Sequence, residues 1–512
     1  MFIRKKKNLS GVLSIQITDK STSKYKVLKT IGSSSDAKII DQLVSQAKQE
    51  IMILQKQGSL NFDLEKEKHL VDTFFNGINK FELLGPELIL GKLFDQVGYN
   101  AIKDELFRDL VLTRLVYPVS KLKTIDYLFK YKGICLDIDK IYRYLDKLQK
   151  HQITSIQEIS YHYAVGVLKS DISIVFYDVT TLYFEAQDED DLRKTGFNKD
   201  GKHQNPQILL GLLINSTGYP LAYEIFEGNK FEGHTMLPVI EAFKKKYLLK
   251  HLIIVADAGL MSNKNIRELQ ERDYEFIIGA RIKNESEELK KQILLLKLKD
   301  GESVVLKKGT NQRIIISYSE QRAKKDAYNR KTGIEKLEKN LDAGKLTKKH
   351  INNKGYNKYL TLKGEIEITI DYQKYEDDAK WDGLKGYLTN TDFLKEDIIA
   401  HYKKLWNVEK TFRISKTDLK IRPIYHHLKR RIESHICIAF AACVLYKELE
   451  RQLKEKKSEL SPEKAIDILK TIYSITITTP YSNTSYTRIL IKNEEQVQLL
   501  KMFDVALGCP SA

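Results

Sequence analysis

Residues 172–184, ISIVFYDVTTLYF, are nearly continuously apolar and rich in β-branched and aromatic side chains, with one acid at position 178. A run of this kind predicts a strand buried on both faces, because a half-exposed strand alternates polar and apolar positions. A buried central strand commits the chain to an α/β domain in which helices cover a sheet. It also makes Asp178 costly unless its carboxylate is solvated, caps a turn or binds a cation.

The following segments extend that sheet. QILLGLLIN and PLAYEIFEG flank the turn Ser216-Thr217-Gly218 and, with the first run, predict an antiparallel meander of three strands. His234–Tyr247 reads as a helix, HLIIVADAG as another buried strand, Asn263–Arg272 as a helix and YEFIIGARI as a fifth strand. That order is the order of a ribonuclease H-like core with a mixed five-stranded sheet. Asp257 ends the run LIIV much as Asp178 follows ISIVFY. In such a fold the two strands are neighbours and the two carboxylates converge. The alternative is a turn or helix-cap role, most of all for Asp257 before Ala-Gly.

A third acid lies in Tyr402–Lys416, YKKLWNVEKTFRISK. On one continuous helix at about 100° per residue, Tyr402, Glu409, Arg413 and Lys416 share a narrow face. Leu405, Trp406 and Phe412 fall to either side and would hold the helix against the sheet. A carboxylate flanked by two cations and a phenol suits a site that holds metal and phosphates together. The alternative is a solvated stripe with an ordinary Glu409–Arg413 pair. Three carboxylates within about 4–5 Å repel by roughly 4 kcal/mol per pair at an effective dielectric near 20. Divalent metal relieves that repulsion, and Mg²⁺ prefers a few carboxylates together with water and phosphate oxygens. Two such ions can activate an attacking water or 3′-hydroxyl and stabilise the leaving oxygen. Asp178, Asp257 and Glu409 are therefore the expected catalytic residues and metal ligands.

The remaining chain divides by pattern. Residues 1–169 predict a small hairpin (VLSIQIT, then YKVLKTI), a helix from a Ser35-Asp36 cap to about Gln57, and a helical stretch from about Leu64 to Lys169. This module would suit DNA-end binding or assembly, although a plain helical scaffold fits the pattern equally well. Residues 170–282 carry the first part of the core, and 283–385 a charged insertion with strand-like runs SVVLKK, RIIISYS and EIEITIDYQ. About 100 residues is too long for a loop inside a compact domain, which predicts a β-rich subdomain. Residues 386–455 resume the core with the Glu409 helix and a helix from Leu428 to about Lys454. Residues 456–512 begin with a cap at Ser461-Pro462-Glu463 and end in a polar tail of unknown role.

With 85 Lys+Arg against 68 Asp+Glu, the chain carries a net charge of +17. Such a surplus favours a polyanionic partner, since each neutralised phosphate releases counterions; a Lys-rich genome would produce the same surplus. Cys135, Cys437, Cys443 and Cys509 are too few and scattered for a disulfide framework or zinc knuckle. MFIRKKKNLSG lacks the apolar core of a signal peptide, and Ile436–Tyr446 is far short of the roughly 18 residues a membrane span needs. A reduced, cytoplasmic, nucleoid-associated protein is expected. His203, His234 and the pair His426-His427 lack metal-ligand spacing, and capping or phosphate contact is their expected role. His435 and Cys437 read as core, Trp406 as core with stacking on a flipped base as the alternative, and the basic helix around Arg322–Lys339 as either a DNA-backbone contact or a solvated face.

Together these motifs resemble an insertion-sequence transposase of the Asp-Asp-Glu class, in the insertion-sequence-four-like branch with the signature Tyr-x2-Arg-x3-Glu-x6-Lys. Tyr402, Glu409 and Lys416 match that spacing, and Leu405 stands where the signature has Arg. YDVTTLYFE, the block GFNKDGKHQNPQILLGLLINSTGYPLAYEIFEGN and VADAGLMS carry the rest of the likeness, which covers about residues 170–450. The resemblance implies strand cleavage at transposon ends with two Mg²⁺ ions, Mn²⁺ substituting, and transfer of the freed 3′-hydroxyl into target DNA. It implies double-stranded terminal inverted repeats and target DNA as partners, and at least a homodimer in the active complex. It also implies that Tyr402 and Lys416 bind DNA phosphates; Arg413 is expected to supply the contact that Leu405 lacks. A catalytically silent DNA-binding derivative and a general nuclease on the same fold are the rival readings.

Overall fold

The computed structural model describes residues 1–9, 11–20, 24–54, 62–168, 173–198, 201, 203–260, 262–352, 355–363, 367–479 and 482–506. The expected helix end at Gln57, the boundary at 169–170, the strand start at Ile172, Met261 of the VADAGLMS motif and Cys509 lie outside the described residues. The described residues divide into two units, one within 1–80 and 475–488, the other within 81–474 and 489–506.

In the first unit β1 (Phe2–Lys7), β2 (Leu13–Asp19) and β3 (Lys26–Ser34) form an antiparallel sheet in that order, one strand more than the expected hairpin. Ile15 and Ile17 of β2 are fully buried and pack on Ile40 and Ala47 of α1 (Ala37–Leu54). The expected cap is formed, the backbone N–H of Lys38 donating to Asp36 Oδ1 at 2.8 Å. α2 (Phe62–Asn76) and β4 (Ile78–Leu83) come next, the strand interrupting a stretch whose pattern predicts helix throughout.

In the second unit α3 (Lys92–Val97), α4 (Glu105–Val116), α5 (Lys121–Lys132), α6 (Ile138–His151) and α7 (Ile153–Leu168) precede the sheet. α6 shows how helical spacing becomes packing. Ile141, Tyr144, Leu145 and Leu148 share one face and are all buried. The predicted meander is formed by β5 (Ile174–Tyr183), β6 (Gln207–Ile214) and β7 (Pro220–Glu227), each antiparallel to the next. After α8 (Met236–Lys246), β8 (Ile253–Ala256) lies parallel to β5; after α9 (Asn263–Glu271), β9 (Glu275–Ala280) lies parallel to β8.

The next segment contains α10 (Glu287–Leu295), β10 (Ser303–Lys308), β11 (Gln312–Tyr318), α11 (Glu320–Asp342), the hairpin β12 (Leu360–Lys363)–β13 (Glu367–Ile370), α12 (Tyr372–Ala379) and β14 (Leu384–Thr389). β14 pairs antiparallel with β9, so the sheet has eight strands in the order β10-β11-β14-β9-β8-β5-β6-β7. The expected order of five is present, and three further strands widen the sheet. Without β14, the buried strand β9 would leave its backbone groups unpaired at an edge. Ile314, Ile315 and Ile316 of β11 are fully buried, which ties this segment into the same core.

α13 (Lys395–Lys403), α14 (Trp406–Arg413), α15 (Lys429–Glu455) and α16 (Pro462–Leu469) complete the second unit's main layer. α15 is buried along most of its length and packs on α4, α6, α7 and β7. Ser461 caps α16 as expected, accepting from the N–H of Lys464 at 3.2 Å. The expected polar tail instead carries β15 (Tyr473–Thr478), β16 (Ser485–Leu490) and α17 (Glu494–Met502), with β16, β15 and β4 forming a small sheet. Among the described residues no helix is long and apolar enough to cross a membrane.

Candidate active site

β5 and β8 run parallel, with Tyr177 opposite Ala256 at the last paired position. Asp178 and Asp257 each stand one residue beyond that pair, on strands that neighbour at about 4.8 Å. Asp178 continues β5, and Asp257 is the first residue after β8. Asp178 is half-buried and accepts from the N–H of Val179 at 2.7 Å; Asp257 is exposed and accepts weakly from the N–H of Gly259 at 3.4 Å. Arg281 clamps the backbone just past Asp257, donating to the Ala258 carbonyl at 2.8 Å.

Tyr402, buried at the end of α13, donates its phenolic hydrogen to Asp257 Oδ1 at 2.9 Å. It can lie flat on the sheet because position 279 is glycine. A Cβ there would come within 2.5 Å of the Tyr402 hydroxyl. Burial, and then the Asp257 charge, push the Tyr402 phenol well above its ordinary range, so it stays a donor. The Lys385 ammonium, from β14, sits 4.5 Å from the centre of the Tyr402 ring and 5.5 Å from that of Tyr387. Burial lowers the Lys385 pKa, as does nearby Arg322, while Asp257 and Glu409 oppose the shift.

Glu409 is exposed on α14, and its charge reaches both Tyr402 and Lys385. The helix docks on the β6–β7 turn through Asn407, which donates to the Ser216 carbonyl at 3.2 Å, and Thr411, which donates to that of Gly218 at 3.1 Å. Val408 and Phe412 are buried beneath it. The helix is not the continuous one its pattern predicts. α13 ends at Lys403, α14 starts at Trp406, and residues Ile414–Asp418 form a π-helical turn. Each break rotates the downstream residues away from a uniform step of about 100°.

The consequences fall on individual residues. Leu405, at the joint, is buried, so the position where the signature has Arg is a core position here. Trp406, expected in the core, is 55 % exposed, with the Lys410 ammonium 5.7 Å from its ring centre. At the first position of α14 it leaves the joint on the solvent side. Arg413 lines a separate cleft with Lys410, Asp418, Tyr446 and Glu450, and its charge acts on Asp418. Lys416 is half-buried within the π-helical turn. His435 and Cys437 are buried, as expected.

Beside Asp257 opens a cleft of about 640 Å³. Tyr402, Arg281, Lys283, Arg322 and Lys385 line it, and residues of α11 and α12 form its far wall. Lys385, Tyr387, Arg281 and Gly279 escape sequence reasoning. Lys385 and Tyr387 sit in LKGYLT, whose place beside β9 no local pattern announces; Gly279 in YEFIIGARI was the available signal.

The donor set is all oxygen, the class a hard divalent cation takes, and Asp257 and Glu409 are open to solvent. Among the described residues no group of three or more His, Cys, Asp or Glu side chains stands close enough to enclose a metal. Asp178 and Asp257 each follow the last paired residues of neighbouring strands, and the Glu409 charge acts on Tyr402 and Lys385 beside Asp257 without the three acids forming one tight cluster.

Three comparisons bear on kinship. No match is found among curated proteins. Among solved structures, the chain is similar to a piggyBac transposase synaptic complex with hairpin DNA at 11% identity and a TM-score of 0.37, over 77% of this chain and 80% of that one. The family described as the transposase DDE domain matches residues 169–445. That span is more than half of the chain and contains β5, β8 and α14 with all three acids, and the chain belongs to the transposase DDE domain family.

Proposed function

We propose that the protein is a DNA transposase of the insertion-sequence type, built on a ribonuclease H-like core, that cleaves DNA at transposon ends and joins the freed 3′-hydroxyl to target DNA. What supports this reading is that Asp178 and Asp257 each follow the last paired residues, Tyr177 and Ala256, of the parallel neighbours β5 and β8 within a transposase DDE domain. Transposases of this family generally use divalent metal ions. Asp178, Asp257 and Glu409 would hold two Mg²⁺ ions, Mn²⁺ substituting; when bound, such ions activate a water or 3′-hydroxyl and stabilise the leaving oxygen. The protein's own groups position the reactants. Tyr402 fixes the orientation of Asp257, Arg281 holds the loop behind it, and Lys385 with Arg322 offers positive charge to a phosphodiester entering the cleft.

Tyr402, Arg413 and Lys416 are the proposed DNA contacts from the helix pair, Arg413 on the neighbouring cleft. An Arg413→Ala variant should weaken end-complex formation in a gel shift more than Leu405→Ala does; equal effects would remove Arg413 from the DNA surface. The N-terminal helices would serve end binding and assembly into at least a homodimer. Cleavage of labelled DNA bearing the element's own termini, with Mg²⁺, tests the central reading. Both Asp178→Ala and Glu409→Ala should abolish it. End binding without cleavage by the unaltered protein would point to a silent derivative, and cutting indifferent to the termini to a general nuclease.

A further inference from the structure

A second concentration of charge lies elsewhere in the same unit. Arg114, in the last turn of α4, and Lys121, the first residue of α5, are each only 5 % exposed. Neither makes an ion pair among the described residues, and the Arg114 Nε is buried without a hydrogen-bond partner. Both line a cavity of about 460 Å³ together with His426 and His435. His435 is 6 % exposed; its Nε2 lies 2.9 Å from the Ile421 carbonyl, while its Nδ1 has no partner. Lys420 stands exposed at the rim, and no acidic side chain lines the cavity among the described residues.

Such an arrangement is costly by itself. Buried cations are normally paired, and removal from water disfavours their charged forms. Burial, and then the charge of Arg114, push the Lys121 ammonium well below its ordinary range. Burial, followed by Lys121 and Arg114, pushes His426 down to about 3. The N-terminus of α5, capped by Ser120, adds the positive end of its helix dipole, and Lys121 and Lys123 in its first turn oppose that dipole rather than complement it. The charged side chains that line the cavity are all cationic, and an anion would offset them.

We propose that this cavity, bounded by Arg114, Lys121, His426 and His435, is a binding site for a phosphate group, carried either by DNA or by free phosphate. Arg114 supplies a planar donor fork and Lys121 a point charge. The cavity lies past the end of β5, where Arg422 covers the Tyr183 ring at 5.4 Å. Tyr183 is roughly 17 Å along the strand from Asp178, a length over which one DNA duplex could reach both places. The site stands apart from the cleavage reading, because it needs none of the three acids.

The test uses the full chain and inorganic phosphate. Sodium phosphate, compared with sodium chloride at equal ionic strength, should raise the melting temperature saturably by about 2 °C or more. Lys121→Met should weaken apparent phosphate affinity about tenfold or more, and Lys420→Ala, at the exposed rim, by less. Without phosphate, Lys121→Met should melt no lower than the unaltered protein, since it removes an unpaired buried charge. Absence of a phosphate-specific rise, or an equal rise in both proteins, would overturn the proposal. Displacement of phosphate by a short DNA duplex would assign the group to DNA; no displacement would assign it to free phosphate. Asp178→Ala should keep the full phosphate effect, so loss of cleavage and loss of this site are separable.

Discussion

One hydroxyl joins the sheet to the helix layer at the candidate site. The Tyr402 O–H is the donor that orients Asp257, and a hydrogen bond to a charged acceptor contributes about 1.5–3 kcal/mol. Tyr402→Phe should therefore slow DNA cleavage by about 10- to 100-fold while leaving the melting temperature within a few degrees, as single-turnover assays and calorimetry would show. Gly279→Ala should destabilise the protein by about 1–3 kcal/mol, because its methyl would press on that same hydroxyl. The two changes meet at one atom, so they should not add. In urea unfolding, the double variant should recover part of the Gly279→Ala loss, and strict additivity would show that the crowding lies elsewhere. At this scale the sequence discloses the positions of Asp178 and Asp257, since an acid ending an apolar run is conspicuous. Lys385 stayed hidden because its environment is assembled from β14, α13 and α11, and no spacing along the chain reports that meeting.

The elements were more legible where they are regular than where they are broken. Continuous apolar runs at β5 and β8 and the alternation in β2 lead directly to the strands observed. YKKLWNVEKTFRISK, by contrast, contains no Gly or Pro, so nothing local marks the joint between α13 and α14 or the π-helical turn after it. The joint is set by packing. Buried Leu405 donates its N–H to the Tyr402 carbonyl at 3.0 Å, a tight turn that brings Trp406 to the surface. Restoring the signature residue should fail for that reason. Leu405→Arg would bury a guanidinium without a partner and should cost about 3 kcal/mol or more, read as a lowered urea midpoint, with no gain in end binding. A variant of unchanged stability that binds DNA more tightly would mean that the joint can open.

Across the whole molecule, the unpaired basic cavity should make the fold sensitive to acid. His426 has a folded pKa of about 3, below the roughly 6.5 of an unfolded chain. As pH falls from about 6.5 towards 3, the unfolded chain takes up a proton that the folded one refuses, so stability declines across that window. The slope from this group is at most about 1.4 kcal/mol per pH unit. His426→Gln should flatten the measured dependence between those limits by up to that amount, in buffers free of phosphate; identical slopes would show that the ring titrates freely. The cavity itself could not be read from the sequence. His435 was legible as a core residue, but Arg114 and Lys121 lie some three hundred positions away, and only the packing of α4 on α15, with α5 against α4, brings them to it.

The width of the sheet has a mechanical consequence. The segment between β9 and β14 departs from one strand and returns on its immediate neighbour, held there by a ladder from Gly386 opposite Ala280 to Thr389 opposite Ile277. Both ends of its root are therefore strands of the sheet rather than free linkers. The ladder opposes a swing of the outer helices, so a load on them is passed to β9 and β14 as torsion. The same fastening makes the outer portion exchangeable, since its length and shape can change while the two anchoring strands keep Lys385 where it is.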